Sequence, residues 1–378
     1  MKKKVILLTE VISPYRIPVF NELSYYLQNS FLVLFFSETV KEREWKIYYR
    51  KIRFNYKVLL SFSFQRKTDT FPYFFNPTLF FRLVQYSPEI IIIGGYHHLS
   101  CLIALLYAKF FKRRIILWCE TNKYGYRLNY PLKETYKRWF VKNCTGYIVP
   151  GKASYEYLLS LGAAVEKIWV APNAVDNDYF SQTRNKYIET KETLKQSKGY
   201  PGKLILYVGH LIEQKGIFDL LKAFQILSQE QSDLGLLLIG SGEGERQCKG
   251  FCKTNNIKNV FFEGFVHQEE LPAYYAMADV FVLPSYSEPW GLVLNEAMAC
   301  KLPVISSNIV GAAEDLIING KNGYIFNVGD IHKLVNCLED ILSDEQKRTG
   351  MGQMSLNIIR NYSPLKCAQG FIQAIREI

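Results

Sequence analysis

Short apolar runs alternate with helix-like segments along almost all of this 378-residue chain, and no other feature limits its fold so strongly. In the first part the runs are Val5 to Thr9, Phe31 to Phe36, Ile90 to Gly94, Ile115 to Trp118 and Tyr147 to Val149. In the second they are Leu204 to Val208, Leu234 to Ile239, Val260 to Phe262, Val280 to Leu283, Pro303 to Ser306 and Gly323 to Phe326. Such runs, separated by helices, predict parallel βαβ units with right-handed crossovers. The length suits two domains. The expected fold is α/β, with two Rossmann-like doubly wound domains facing each other across a cleft, residues 1–175 and 176–359. A helix within 360–378 is expected to pack back on the first domain. Residues 181–203, polar and ending in Gly and Pro, read as a surface connection.

Charge divides unevenly between the halves. Residues 1–175 hold 26 Lys/Arg and 11 Asp/Glu, a net +15, whereas the remainder is net −4. A basic half suggests an anionic partner. Between Lys51 and Arg82 the cations Lys51, Arg53, Lys57, Arg66 and Lys67 mix with Phe54, Tyr56, Phe62, Phe64, Phe71, Tyr73, Phe74, Phe75, Phe80 and Phe81. That mixture suits a lipid interface, although at least half of these rings are expected to be core residues of a strand and helix layer. No nucleic-acid recognition motif accompanies the charge, so no nucleic-acid partner is expected.

Eight cysteines occur without a Cys-x-x-Cys pair, which fits buried thiols in a reducing cytoplasm. The run Val5 to Leu8 after Lys2, Lys3 and Lys4 is too short for a signal-peptide core, so no export is expected. The apolar stretch Ile90 to Phe111 is broken by Gly94, Gly95, His97 and His98 and reads as strand, loop and helix, not as a membrane span.

The most informative segment is Pro284 to Val304, in which Glu288 and Glu296 stand eight positions apart around a helix start. The first-turn N–H groups of Gly291, Leu292 and Val293 lack intrahelical acceptors and sit at the positive end of the helix dipole, which suits a phosphate. Glu288 and Glu296 are then hydroxyl-binding carboxylates on either side of it. In VGHLIEQKG, Gly209, His210 and Lys215 follow a strand; Lys215 is placed to neutralise a departing diphosphate. Gly240 opens a Gly-rich turn that lacks the third glycine of the dinucleotide fingerprint and instead lets a nucleotide lie close to the backbone. Asp176-Asn177-Asp178 imitates an Asp-x-Asp metal motif, but it lies just before the expected connection, and Lys215 with a helix N-terminus can do the cation's work; no metal or other cofactor is expected. In the first domain, His97 and His98 close a strand and suit a base or sugar contact. Glu120, at the end of another strand, can act as a base or hydrogen-bond acceptor. Arg16, in the loop after the first strand, is a candidate for acceptor phosphate.

Together VGHLIEQKG, LLLIGSGEGE, FFEGFV, ADVFVLPSYSEPWGLVLNEAMACKLPVISS, VGAAEDLI and NGYIF resemble, in order and spacing, the retaining nucleotide-sugar glycosyltransferases of the GT-B fold. Residues 165–330 carry this likeness. It implies that Glu288 contacts the donor sugar, Glu296 the ribose hydroxyls and Lys215 the diphosphate. With the strand-end position of Glu120, it makes Glu288, Lys215 and Glu120 the candidate catalytic residues, although many members place a His near Glu120; Gly209, His210, Gly240, Gly291, Leu292, Val293 and Glu296 are then donor-binding. The first domain would bind the acceptor through Arg16, His97 and His98, and the second the donor. The family commonly has Arg where His210 stands. The activity implied is metal-independent transfer of a hexose-type sugar, with retention, from a nucleotide sugar (UDP first, GDP next). The acceptor would be a glycan or lipid-linked saccharide of a cell-surface polysaccharide. The partner surface is an anionic membrane and the location cytoplasmic, peripheral at the inner face of the cell membrane. A sugar-nucleotide epimerase and a non-catalytic nucleotide-sugar-binding protein are the alternatives.

Overall fold

The computed structural model describes residues 3–40, 45–65, 72–124 and 131–378; Lys2, Arg66, Lys67 and Phe71 lie outside them. The chain divides into two units. The first contains residues 3–123 and 131–174 and takes back the C-terminal segment Pro364–Ile378; the second spans Val175–Ser363.

The strands of the first unit are β1 (Val5–Thr9), β2 (Phe31–Phe35), β3 (Tyr56–Val58), β4 (Phe62–Phe64), β5 (Tyr73–Phe75), β6 (Ile90–Gly94), β7 (Arg114–Trp118), β8 (Gly146–Val149) and β9 (Ile168–Val170). Seven of them form one sheet in the order β3-β2-β1-β6-β7-β8-β9, and every pairing in it is parallel. A parallel sheet is covered on both faces, which is why its strands are apolar throughout. Ile6, Leu8, Ile91 and Ile93 enter one core layer with helix Leu99–Phe110. Val5, Leu7, Ile90 and Ile92 enter the other, where Phe371 and Ile375 of helix Pro364–Glu377 join them. Each such side chain, fully buried, contributes about 1.5–3 kcal/mol.

The second unit carries β10 (Lys203–Val208), β11 (Leu234–Ile239), β12 (Val260–Gly264), β13 (Val280–Leu283), β14 (Val304–Ser307) and β15 (Gly323–Phe326). Their order, β12-β11-β10-β13-β14-β15, is again parallel and doubly wound. In both units the strand order reverses beside the first strand, between β1 and β6 and between β10 and β13. Ligands of open α/β sheets bind at such switch points, at the carboxyl ends of the strands.

Three expectations need correction. Residues 181–203 are largely helical, lying in Asn177–Ile188 and Lys191–Ser197; their polarity reflects exposed helix faces. Strands β3, β4, β5 and β9 add to the expected set, because three residues are too few to show a period. Of the described rings between Lys51 and Arg82, only Phe54 and Phe74 belong to the core, while Phe62, Phe64, Tyr73, Phe75, Phe80 and Phe81 are exposed. Among the described residues no helix is long and apolar enough to cross a membrane.

Candidate active site

The switch point of the second unit is built by the loops after β10 and β13. Gly216 brings them together: its φ of 69° is left-handed, and a Cβ there would stand 2.1 Å from the Pro284 carbonyl oxygen. Tyr286 N–H donates to the Gln214 carbonyl across the same gap at 2.9 Å. This contact sets Lys215 Nζ 2.7 Å from Glu288 Oε2, with the Ser287 carbonyl 3.4 Å away. Both side chains are a little over four-fifths buried, so the pair is only partly screened by water. Burial pushes the nearby Tyr207 phenol well above its usual range, and the Glu288 charge adds to the shift.

Beyond β13 the backbone of Glu288 is fixed by Gly311, whose N–H donates to the Glu288 carbonyl at 3.0 Å. Helix Leu292–Ala299 starts immediately after buried Gly291. Its first-turn residues Leu292 and Val293 are half-buried, and their N–H groups have no acceptor within the helix. Gly240, at the end of β11, lets the neighbouring loop lie close: a Cβ at its φ of 128° would stand 2.0 Å from the Gly209 carbonyl oxygen. His210 is exposed, and its carbonyl accepts from Tyr207 Oη at 2.9 Å. Lys215, Glu288, Gly209 and Gly291 thus gather at one switch point. Glu296 differs from its neighbours: it is fully buried in the same helix, and its Oε2 accepts from Tyr275 Oη at 2.7 Å.

In the first unit the expected residues fall into two groups. Arg16 is paired with Glu120 Oε1, and Asn173 completes the triangle by donating to that oxygen at 2.7 Å and accepting from Arg16 at 2.9 Å. The Arg16 guanidinium also lies over the Trp118 ring, 4.4 Å from its centre. Arg16 is therefore held by its own chain, and Glu120 enters any chemistry already charge-compensated.

His97 and His98 gather instead on Glu10, a residue the motif reading missed. Glu10 follows β1 and the histidines follow β6, so the pairing of these two strands brings them together. His98 Nδ1 accepts the Phe74 N–H at 3.2 Å, which leaves the proton on Nε2, 2.9 Å from Glu10 Oε1. His97 Nε2 lies 3.6 Å from the same oxygen and is exposed. Burial lowers the His98 pKa, outweighing the opposing effect of Glu10, and so favours the neutral ring. Burial alone would raise the Glu10 carboxyl, but the two histidines hold it far below the usual carboxylate range. Ligand-type atoms of the three residues lie within 4.8 Å of one another. With Nδ1 committed to an amide and Nε2 protonated, His98 has no lone pair for a cation; it is hydrogen-bonded to Glu10, and His97 lies beside the same carboxylate. Asp176 of the metal-like motif is likewise committed: its Oδ1 caps helix Asn177–Ile188 by accepting from Tyr179 N–H at 3.0 Å.

Residues 190–356 match the family model described as glycosyl transferases group 1. The capsular polysaccharide biosynthesis glycosyltransferase CapM of Staphylococcus aureus is 30% identical over 192 residues, covering 50% of this chain and 48% of CapM. Spore coat protein SA of Bacillus subtilis is 34% identical over 187 residues, 47% of this chain and 49% of that protein. The matched segments span about half the length of these relatives. In structure, Anabaena Alr3699/HepE in complex with UDP superposes with a TM-score of 0.77 at 18% identity, covering 99% of this chain and 100% of that one, which shows a shared GT-B fold. Residues 190–356, the segment that holds Lys215 and Glu288, thus match the glycosyl transferases group 1.

Proposed function

We propose that this chain is a glycosyltransferase that moves a hexose-type sugar from a nucleoside diphosphate sugar, UDP before GDP, to a glycan or lipid-linked saccharide. The observation that carries the reading is the Lys215–Glu288 ion pair beside the first turn of helix Leu292–Ala299, inside a group 1 domain. UDP is favoured because HepE, which shares the fold, was solved with UDP and with UDP-glucose. A cell-surface polysaccharide product is favoured by the likeness to CapM.

In this reading the Leu292 and Val293 N–H groups receive the diphosphate, and the Lys215 ammonium neutralises the charge that grows on it as the bond from sugar C1 to phosphate oxygen breaks. Glu288 binds a sugar hydroxyl and steadies the positive charge at C1. The acceptor oxygen then bonds to C1 on the face the diphosphate leaves, and its proton passes to the departing phosphate oxygen, giving retention without a metal. Gly209, His210 and Gly240 line the nucleotide, and Glu296, on the helix that receives the diphosphate, is the candidate for the ribose hydroxyls. Exposed His97 is the group offered to the acceptor, while His98 positions Glu10 beside it and Arg16 positions Glu120, a supporting acceptor of hydrogen bonds.

A thermal-shift screen with UDP, GDP, ADP and their sugars names the donor through ligand-linked stabilisation. NMR of the product then reads its anomeric configuration. Stabilisation by UDP with a retained product is expected. Absence of sugar transfer from every stabilising donor sinks the reading.

A further inference from the structure

We infer that the ribbon formed by β4 and β5, with the helix faces beside it, is a docking surface for an anionic phospholipid bilayer. Phe62 lies opposite Phe75 and Phe64 opposite Tyr73 in this antiparallel pair. Residues of alternate register share a face, so these four rings stand on one side of the ribbon. Phe74 points the other way and is buried against Phe36 and His98. Phe62 and Phe64 leave 62% and 64% of their surface in contact with solvent, and Leu60 just upstream leaves 61%.

The ribbon is anchored where it joins the unit. Fully buried Asn76 donates to the Phe36 and Leu60 carbonyls and accepts from Ser100 Oγ. Phe74 N–H is held by His98. Helix Leu99–Phe110 packs against β5 and against helix Leu79–Tyr86. These helices add Phe81 and Phe110, exposed by 72% and 79%, and Leu106. Four rings presented to water on one side of an anchored ribbon mark an interaction surface.

Charge identifies the occupant. The described residues between 45 and 114 include ten Lys/Arg against one acidic residue, Glu89. Lys109, Lys112 and Arg113 bracket Phe110 and Phe111, and Lys57 lies over the Tyr86 ring at 5.8 Å. A second copy of this chain would oppose like charge to like. Anionic headgroups over an acyl boundary satisfy both the cations and the rings. The inference deepens the acceptor reading, because His98 links the ribbon to Glu10 and so sets the His97 side chain beside the surface that a lipid-linked acceptor would occupy.

The test uses the full chain, flotation with phosphatidylcholine vesicles with and without phosphatidylglycerol, and no turnover, so it fails or succeeds independently of the proposed activity. The parent is expected to float with the anionic vesicles, and less at high salt. The double change Phe62→Ser and Phe64→Ser is expected to weaken vesicle affinity at least about tenfold with an unchanged circular dichroism spectrum. In a Phe64→Trp variant, brominated acyl chains are expected to quench the added fluorescence. A parent that does not float, a serine variant that floats as well as the parent, or a Phe64→Trp variant whose added fluorescence is not quenched overturns the inference. So does a concentration-dependent dimer abolished by the serine changes in the absence of lipid binding, which would assign the face to a second copy.

Discussion

Lys215 Nζ meets Glu288 Oε2 at 2.7 Å, joining the loops after β10 and β13 at the switch point of the second unit. Two opposite charges set where a diphosphate and a sugar would lie are worth more to a transition state than to the resting fold. Replacing Lys215 by Ala should lower kcat by about 10²–10³, the usual effect of losing one charge-stabilising donor. Stability should fall by about 1–3 kcal/mol, because the change leaves a largely buried carboxylate without its cation. Glu288→Gln should cut turnover comparably, and the double variant should lose less than the product of the single losses, because contacting groups are not additive. Steady-state kinetics and a urea melt of the four proteins check this.

Gly216 gives a second handle on the same geometry. Gly216→Ala places a Cβ against the Pro284 carbonyl oxygen in a left-handed conformation, and should destabilise the second unit by at least about 2 kcal/mol. Gly250, in helix Glu245–Thr254, has open space around it. Gly250→Ala should therefore stabilise by about 0.5–1 kcal/mol. Opposite signs in the two denaturation midpoints are the expected result.

Both sheets are legible in the sequence because parallel strands buried on two faces leave unbroken apolar runs, as in Ile90–Gly94 and Leu234–Ile239. The Glu288 and Lys215 segments are legible because each lies in a short loop after such a run. Glu10 is not: its partners are His97 and His98, brought to it only by the β1–β6 pairing, and no local pattern encodes a contact of that range. The aromatic ribbon escapes composition, which records which rings are present and not which side of a three-residue strand they occupy. The spacing of Glu296 points to a ligand contact, whereas its helix is wrapped by the core and turns the carboxylate to Tyr275.

That contact yields a third prediction. Tyr275 and Glu296 are both fully buried. Tyr275→Phe removes a donor from a buried carboxylate, which should cost about 1–3 kcal/mol. The loss is read from the denaturant midpoint at constant m-value.

The Glu10–His98 contact makes the first unit sensitive to acid. Both groups have folded pKa values below their unfolded ones, His98 chiefly through burial and Glu10 because the hydrogen bonds from the histidines outweigh burial. In each case the unfolded chain binds more protons between the two pKa values, so stability rises with pH across that window. As pH falls below about 6.5, the unfolded histidine takes up a proton that the folded one resists, and stability is lost until the folded pKa is passed. Below about 4.3 the unfolded glutamate does the same, and the loss continues down to the lower folded value. The melting temperature should therefore drop between neutral pH and pH 5. His98→Gln, which keeps a polar group but does not titrate, should flatten that part of the curve while lowering stability at neutral pH. Equal slopes for parent and variant between pH 7 and 5 would show that His98 does not govern the acid response.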